Sequence, residues 1–242
     1  MVERGLAASR TQAQALIMAG QVSAEGRRLE KPGLSVDEAL ELHVKNQPRF
    51  VSRAGEKLAS VAEVLGLDFV GKTVLDVGSS TGGFTDFALQ RGAARVYCVD
   101  VGTAQLAYKL RQDSRVVIME RTDIRDVMVG EGAKALPEPA DMAVMDVSFI
   151  SLTKVLEATA ALVKLGGPIV AMAKPQFEAG KAVADRYAGV IPVGPVRDEI
   201  LASLRAWCAE RFEIVAEADS GLAGAEGNVE RFFLLRSVHG DI

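Results

Sequence analysis

A glycine-rich turn with an aspartate in front of it is the part of this sequence best suited to chemistry. The stretch VLDVGSSTGGFTDFAL runs from an apolar segment through Asp76 to Gly78, Gly82 and Gly83, and then into a predicted helix. Glycine at such positions lets a ligand approach the backbone closely. The spacing is GxxxGG, which differs from the GxGxxG of dinucleotide-binding turns, and no Lys-Ser or Lys-Thr follows to make a phosphate loop. The turn therefore indicates a ligand of another kind.

Acidic residues at successive strand ends indicate the charge of that ligand. Asp76 places a negative charge where a pyrophosphate would lie, which favours a cofactor with a cation, and S-adenosylmethionine carries both an ammonium and a sulfonium. Asp100 ends the second predicted strand, where an acid can accept hydrogen bonds from ribose hydroxyls. Asp123 follows the third and could accept from an adenine amino group. One such acid is as easily a helix cap or turn residue, but three beside a glycine turn favour a cofactor site. The residues expected to contact S-adenosylmethionine are Asp76, Gly78, Ser79, Ser80, Thr81, Gly82, Gly83, Phe84, Asp100 and Asp123.

The elements that position these residues alternate between strand and helix. Apolar runs predict strands at 73–77, 95–100, 116–120, 142–147 and 168–174, with helices in most gaps. This alternation is typical of a parallel sheet covered on both faces. The final stretches FEIVAEA and NVERFFLLR are joined by a short glycine-rich loop, which permits only an antiparallel pair. The predicted fold is therefore α/β, with a seven-stranded Rossmann-like sheet of the methyltransferase type.

Two helices have apolar faces that predict core packing. One is capped by Ser52 and ended by Gly66, and the other spans 195–211. The first has Leu58, Val61, Ala62 and Leu65 at helical spacing, and the second has Val196, Ile200, Leu204, Trp207 and Cys208.

The first 47 residues form a separate small α+β module. A helix capped by Ser9 and ended by Gly20 precedes short strands. We expect domains at 1–47 and 53–242 with a linker at 48–52. The module has little room for a core, and its abrupt start suggests that a leading element is missing.

Composition excludes some classes of protein. The 242 residues carry a net charge of -4, although the first 57 contain nine basic and seven acidic residues. Two cysteines cannot form a disulfide framework or a Cys/His metal cluster, so no metal is expected. No leader or membrane-length apolar run is present, and a reducing cytoplasm is the simpler location.

The ends of the fourth and fifth strands indicate which group is methylated. Methylation of an exocyclic base nitrogen would favour an Asn/Asp-Pro-Pro-aromatic stretch after the fourth strand, and none is there. Methylation of cytosine C5 needs a nucleophilic cysteine, but both cysteines fall inside regular elements. Instead Asp146 and Lys174 lie at these two ends. A lysine there must have its charge paired, and with Asp146 it could act as a base or positioning cation for a hydroxyl nucleophile. The alternative is a lysine that extends to solvent.

Five stretches in this order resemble the TlyA (hemolysin A) family of FtsJ-like ribosomal RNA 2'-O-methyltransferases: RFVSRAGEKL, LDVGSSTGGFTDFAL, MDVSFISL, AKPQFEAGK and GNVERFFLL. The resemblance implies a catalytic Lys-Asp-Lys-Glu tetrad for ribose methylation, which falls on Lys57, Asp146, Lys174 and Glu230. Without the resemblance, Lys57 would be interpreted as a surface lysine and Glu230 as a residue that protects the edge of a sheet.

The N-terminal module is similar to the αL RNA-binding module of several RNA-binding proteins. This similarity implies RNA contact by Ser9, Arg10, Gln14 and Arg27, and a ribosomal RNA or ribosomal subunit as partner. The stretch 182–198 is less close to the family pattern, and no functional residue is assigned in it. Three alternatives stay open: a ribosome-assembly factor with little catalysis, a membrane-active hemolysin, and a small-molecule O-methyltransferase.

Overall fold

The computed structural model describes residues 1–7, 9–45 and 48–237 of the chain. The helices are α1 Arg10–Met18, α2 Arg53–Ala62, α3 Gly83–Gln90, α4 Tyr108–Arg111, α5 Leu156–Ala160, α6 Pro175–Glu178, α7 Lys181–Arg186 and α8 Pro195–Ala209. The strands are β1 Val22–Ala24, β2 Arg27–Arg28, β3 Leu42–Val44, β4 Thr73–Val77, β5 Arg95–Val99, β6 Val116–Met119, β7 Met128–Val129, β8 Ala135–Leu136, β9 Met142–Met145, β10 Pro168–Ala173, β11 Phe212–Asp219 and β12 Arg231–Ser237.

Seven strands form the central sheet, in the order β11-β12-β10-β9-β4-β5-β6. The strands β4, β5, β6, β9 and β10 pair in parallel, while β12 runs antiparallel to both β10 and β11. This confirms the predicted α/β fold with five parallel strands and a terminal antiparallel hairpin. Several strands end one or two residues earlier than predicted, so Asp100, Asp146 and Lys174 lie just beyond the strands that carry them.

The core lies on both faces of this sheet because successive side chains of a strand point to opposite sides. In β4, Leu75 and Val77 pack with α5 and α8 residues on one face. Val74 packs with α2 and α3 residues on the other face. Burying each such side chain stabilises the fold by about 1.5–3 kcal/mol, and the sheet is thereby fixed as a rigid support for its carboxyl edge.

Helix α8 turns a different face to the core than the apolar stripe predicts. Its buried residues are Arg197, Leu201, Leu204 and Cys208. Val196, Ile200 and Trp207 are only partly buried. Trp207 still packs against the core, so the prediction was wrong for Val196 and Ile200. The physical reason is Arg197, whose guanidinium donates to the Val229 carbonyl at 3.0 Å and pairs with Asp219, so the buried charge has partners.

Helix α2 begins after Ser52 as predicted but ends at Ala62, short of Gly66. The apolar face is buried as predicted: Leu58, Val61, Ala62 and Leu65. Ser52 has the extended backbone of an N-cap, yet its hydroxyl makes no cap hydrogen bond. Within the described ranges, its Oγ is buried without a partner.

The N-terminal part contains α1 and a three-stranded antiparallel sheet in the order β2-β1-β3. Ser9 caps α1 by accepting a hydrogen bond from the Gln12 amide at 3.1 Å, as its sequence predicts. Arg28 donates to the Gly20 carbonyl just beyond the helix, at 2.8 Å. Two predicted domain limits lie outside the described residues: the end of the first domain at residue 47 and the end of the second domain at residue 242. Among the described helices, none is long and apolar enough to cross a membrane.

Candidate active site

A cavity of about 360 Å³ lies at the carboxyl ends of β4, β5 and β9, on the edge where an open parallel sheet binds ligands. Its walls combine apolar side chains with three carboxylates, Asp100, Asp123 and Asp146. Gly78 and Ser80 of the glycine-rich turn also line it. The turn therefore contributes to this cavity, as the sequence predicts, although not with all of its residues.

At Gly78 both the backbone conformation and the close approach of a neighbouring strand end require glycine. It has φ +80, in the left-handed region, and an added Cβ would lie 2.7 Å from the Asp146 carbonyl oxygen. Only glycine lets the backbone pass this close to Asp146. The turn and the end of β9 are thus held against each other where they form the cavity wall.

Gly82 and Gly83 allow close approach by protein, not by a ligand. A Cβ on Gly82 would meet the Leu110 side chain at 2.3 Å, and one on Gly83 would meet the Ser52 hydroxyl at 2.3 Å. Phe84 is buried and packs against Phe232, with ring centroids 6.1 Å apart. The predicted cofactor contacts at Ser79, Thr81, Gly82, Gly83 and Phe84 are not among the described residues that line the cavity.

Asp76 lies inside the protein, which differs from the open position that its place before the turn suggests. It is fully buried and accepts a hydrogen bond from the Thr85 hydroxyl at 2.5 Å. Its other oxygen has no partner within the described residues. Burial raises the pKa of Asp76 from 3.8 to about 7. Asp76 contacts the helix that follows the turn, through Thr85, and is not among the described residues that line the cavity.

Asp100 and Asp123 reach the cavity in different states. Asp100 accepts backbone hydrogen bonds from Gly102 at 2.7 Å and Ser80 at 2.8 Å, which fixes its carboxylate at the cavity edge. Asp123 caps a short 3-10 helix, Ile124–Asp126, and accepts two hydrogen bonds from the Arg125 guanidinium at 2.6 and 2.9 Å. These hydrogen bonds lower the pKa of Asp123 to about 2. Asp123 therefore both caps the short helix and lines the cavity.

A second cavity, of about 600 Å³, adjoins the first and contains all four residues of the implied tetrad: Lys57, Asp146, Lys174 and Glu230. The two cavities share Asp146, Ser148 and Phe149. Residues from α2, β9, β10 and β12 thus meet, although Lys57 and Glu230 are 173 positions apart in sequence.

Two ion pairs organise this second cavity. Lys174 Nζ lies 2.7 Å from Asp146 Oδ1, with side chains 13% and 19% exposed. The distance is that of an ion pair, although the angle is not that of a hydrogen bond. Lys57 Nζ donates to Glu230 Oε1 at 2.5 Å, with side chains 11% and 3% exposed. The charges are compensated, as buried charges must be, and the alternative of a Lys174 extended to solvent is not what the structure shows.

Sequence reasoning missed several residues that shape this cavity. Ser148 Oγ accepts a hydrogen bond from Lys174 Nζ at 2.6 Å. Glu178 accepts from the Ser151 hydroxyl at 2.5 Å and the Leu152 amide at 2.8 Å, which ties α6 to the loop after β9. Burial raises the pKa of Glu178. Ser148 and Ser151 lie in the stretch MDVSFISL and Glu178 lies in AKPQFEAGK, but a polar residue near a strand end has no distinctive spacing.

Phe149 in the same loop was also missed. Its side chain is 91% exposed, its backbone has φ +63, and its ring lies 5.1 Å from that of Phe177. A bulky residue with positive φ is uncommon and marks backbone held by its surroundings. Phe149 lines both cavities.

The predicted RNA contacts lie on the surface of the N-terminal part. Ser9, Arg10, Gln14 and Arg27 are all exposed. Arg10 and Gln14, four residues apart on α1, line a cavity of about 390 Å³ together with Lys31. Arg27 lies on β2 and is not among the described residues that line this cavity. No cluster of metal-binding side chains is found in the described part of the chain.

Comparison with known proteins identifies the family. The FtsJ-like methyltransferase family matches residues 50–237. YqxC, a candidate rRNA methyltransferase of Bacillus subtilis, is 44% identical, with 97% of this chain and 82% of that protein aligned. The 16S/23S rRNA (cytidine-2'-O)-methyltransferase TlyA of Mycobacterium tuberculosis is 40% identical, covering 98% of this chain and 88% of that protein.

A solved structure agrees with these sequence relatives. A candidate hemolysin from Streptococcus thermophilus is 37% identical, with a TM-score of 0.73 over 98% of this chain and 86% of that chain. The resemblance seen in the sequence motifs is thereby confirmed. The chain belongs to the FtsJ-like methyltransferase family.

Proposed function

We propose that this protein uses S-adenosylmethionine to methylate the ribose 2'-hydroxyl of a cytidine in ribosomal RNA. The observation that carries the proposal is one cavity that is lined by the ion pairs Lys174–Asp146 and Lys57–Glu230 and shares Asp146 with a neighbouring cavity suited to the methyl donor. The relative from Mycobacterium tuberculosis is named for this reaction.

The smaller cavity fits S-adenosylmethionine in its chemistry. Asp100 faces it with a carboxylate that two backbone amides already orient, which suits hydrogen bonding to ribose hydroxyls. Val101 and Ile124 provide apolar surface for an adenine ring. Asp146 adds a negative charge that favours a cationic ligand. When bound, the cofactor supplies an electrophilic methyl group on its sulfonium.

Lys174 and Asp146 are proposed to prepare the hydroxyl. The Lys174 amine is held between the Asp146 carboxylate and the Ser148 hydroxyl, at 2.7 and 2.6 Å, so its direction is fixed before a substrate enters. A ribose hydroxyl beside this pair can be oriented by the Lys174 ammonium and can pass its proton to the Asp146 carboxylate, while its oxygen bonds to the methyl carbon and the sulfonium leaves as a neutral thioether. Because Asp146 lies in both walls, this hydroxyl would face the cofactor cavity, and such positioning supplies much of the rate.

Lys57 and Glu230 are proposed to hold the nucleotide. Their ion pair is almost completely buried and lines the same cavity as Lys174 and Asp146. Glu230 Oε2 is buried and has no partner within the described ranges, so it can accept a hydrogen bond from a bound nucleotide. The pair thus gives the substrate a fixed polar contact without a net charge.

The N-terminal part is proposed to dock on folded RNA. Residues 1–47 would bind through the exposed Ser9, Arg10, Gln14 and Arg27, and residues 53–242 would carry out the transfer. Phosphate binding needs basic side chains on one surface, and Arg10 with Lys31 around one cavity supports such a surface. The partner would be a ribosomal subunit or its RNA, which places the reaction in the cytoplasm.

Replacing Lys174 tests the assignment. We expect Lys174→Ala to slow methyl transfer to ribosomal RNA by about 100-fold or more, because it removes the group that meets the hydroxyl. Binding of S-adenosylmethionine, measured by calorimetry, should change little. Lys72→Ala is the matched control, since Lys72 precedes β4 at the opposite edge of the sheet and pairs with the exposed Asp68 at 3.3 Å. Normal transfer by Lys174→Ala would refute this role.

A further inference from the structure

The polar side chains around the larger cavity differ in how well they are satisfied by the protein. The Asn228 amide uses both its oxygen and its nitrogen, with the Ile191 amide and the Gly189 carbonyl at 2.8 Å each. The Arg53 guanidinium donates to the Ala223 carbonyl at 2.8 Å. Ser148 accepts from Lys174. These residues are held by the protein itself.

Gln176, Asp146 and Glu230 are different. Each lines the larger cavity and has one buried oxygen without a hydrogen-bond partner within the described residues: Gln176 Oε1, Asp146 Oδ1 and Glu230 Oε2. Of the three side chains, only that of Gln176 carries no charge. Its amide carries both an acceptor and two donors. A buried amide oxygen without a partner costs about 1–3 kcal/mol, a cost that a substrate can remove by supplying a donor. The position therefore favours a substrate with a donor at this point.

The chemistry of an internal RNA nucleotide restricts what that donor is. Its 3' and 5' oxygens are esterified, so the ribose offers only the 2'-hydroxyl as a donor, and this group is the one that Lys174 and Asp146 meet in the proposed reaction. The remaining donors belong to the base. On cytosine the only hydrogen-bond donor is the exocyclic amino group, next to the acceptor N3.

We infer that Gln176 recognises the base of the target nucleotide, with its Oε1 accepting a hydrogen bond from the exocyclic amino group. Gln176 follows Lys174 by two residues, at the start of α6, so its amide is tied to the same strand end that presents the catalytic amine. An amide that offers an acceptor beside a donor matches the amino group and ring nitrogen of cytosine. The inference rests on the proposed function and adds a determinant of its base specificity.

The test compares two proteins on two RNAs. The proteins are the full-length chain and Gln176→Met, which keeps the length of the side chain but removes its hydrogen-bonding groups. The RNAs contain the mapped methylation site, with cytidine or with the pyrimidin-2-one ribonucleoside that lacks only the 4-amino group. Single-turnover rates of methyl transfer are measured for each combination. Gln112→Leu, an exposed glutamine that does not line either cavity, is the control.

We expect the unchanged protein to methylate the pyrimidinone RNA about 10-fold more slowly than the cytidine RNA, since the amide oxygen stays unpaired. Gln176→Met should be slowed on cytidine RNA and should treat both RNAs alike, which is the signature of a direct contact in a double-mutant cycle. A structural role would slow both RNAs by the same factor and leave the preference intact. That result, or equal rates of the unchanged protein on both RNAs, would overturn the inference.

Failure of the proposed function gives a different result. In that case the unchanged protein transfers no methyl group to either RNA. Equal thermal unfolding midpoints of the unchanged protein and Gln176→Met would show that both proteins are folded in this experiment. Transfer to cytidine RNA with no preference for the amino group refutes only the role of Gln176.

Discussion

At the scale of single residues, the account depends on charged side chains that the fold brings together from distant parts of the chain. Asp146 and Lys174 could be predicted from the sequence because each ends a buried parallel strand, and such ends share one edge of the sheet. Lys57 and Glu230 could not be found in this way. Their pairing crosses from α2 to the start of β12, and only the family resemblance assigned them a role.

Asp76 shows the opposite case, in which a residue predicted to contact the cofactor is buried and is not among the described residues that line the cavity. A carboxylate before a glycine turn looks like a ligand for a cation, but the alternation of side chains in β4 places Asp76 on the same face as Val74, which packs with α2 and α3 residues. There it meets Thr85 and the neighbouring Cys98 of β5. Its effect on the site is therefore indirect.

This burial predicts a pH dependence of stability. The folded-state pKa of Asp76, about 7, lies above its ordinary value of 3.8. Between these values the folded protein keeps a proton that the unfolded chain has lost, so its contribution to stability falls as pH rises through this window. We expect the thermal unfolding midpoint to decrease from pH 5 to pH 8 more steeply for the unchanged protein than for Asp76→Asn. Parallel pH profiles of the two proteins would contradict the buried, protonated carboxyl.

At the scale of elements, the order of strands and helices was predictable and the packing of individual faces was less so. Alternating apolar runs suffice to predict parallel strands, since such strands are buried on both sides. The buried face of α8 was not predictable because a buried arginine is unusual, and Arg197 is accepted there only through its partners on β11 and the following loop. The role of Gly82 and Gly83 likewise depends on which helices pack against the turn.

The segment 187–191 illustrates how one residue can hold an element beside the site. Asn228 is buried and pins this segment through both its amide atoms, two residues before Glu230. Gly189 of the segment and Asn228 both line the larger cavity. The segment thus contributes Gly189 to the cavity wall, and the Asn228 side chain holds it together with the Gly189–Ala184 and Val190–Tyr187 backbone hydrogen bonds.

We expect Asn228→Ala to loosen this wall. The Ile191 amide should exchange its hydrogen about 10-fold faster or more, since loss of a buried partner costs about 1–3 kcal/mol, and methyl transfer should slow. Affinity for S-adenosylmethionine should stay the same, because Asn228 does not line the smaller cavity. Ser203→Ala on the exposed side of α8 is the control. Unchanged exchange at Ile191 would show that other contacts hold the segment.

At the scale of the whole molecule, charge is divided along the chain. The first 57 residues contain nine basic and seven acidic residues, and the remaining 185 contain 19 basic and 25 acidic. A net-negative protein gains little from nonspecific attraction to RNA, so binding must depend on local surfaces. Residues 1–47 contain six basic and six acidic residues, so RNA binding there would depend on how these charges are arranged on the surface.

The product of the reaction tests the central claim most directly. The protein is incubated with S-adenosylmethionine carrying a labelled methyl group and with each purified ribosomal subunit, and the modified nucleotide is mapped by mass spectrometry. The account predicts label on a ribose as 2'-O-methylcytidine at one defined position of a subunit's RNA. Label on a base atom, or no transfer to either subunit by a protein that binds the cofactor, would contradict it.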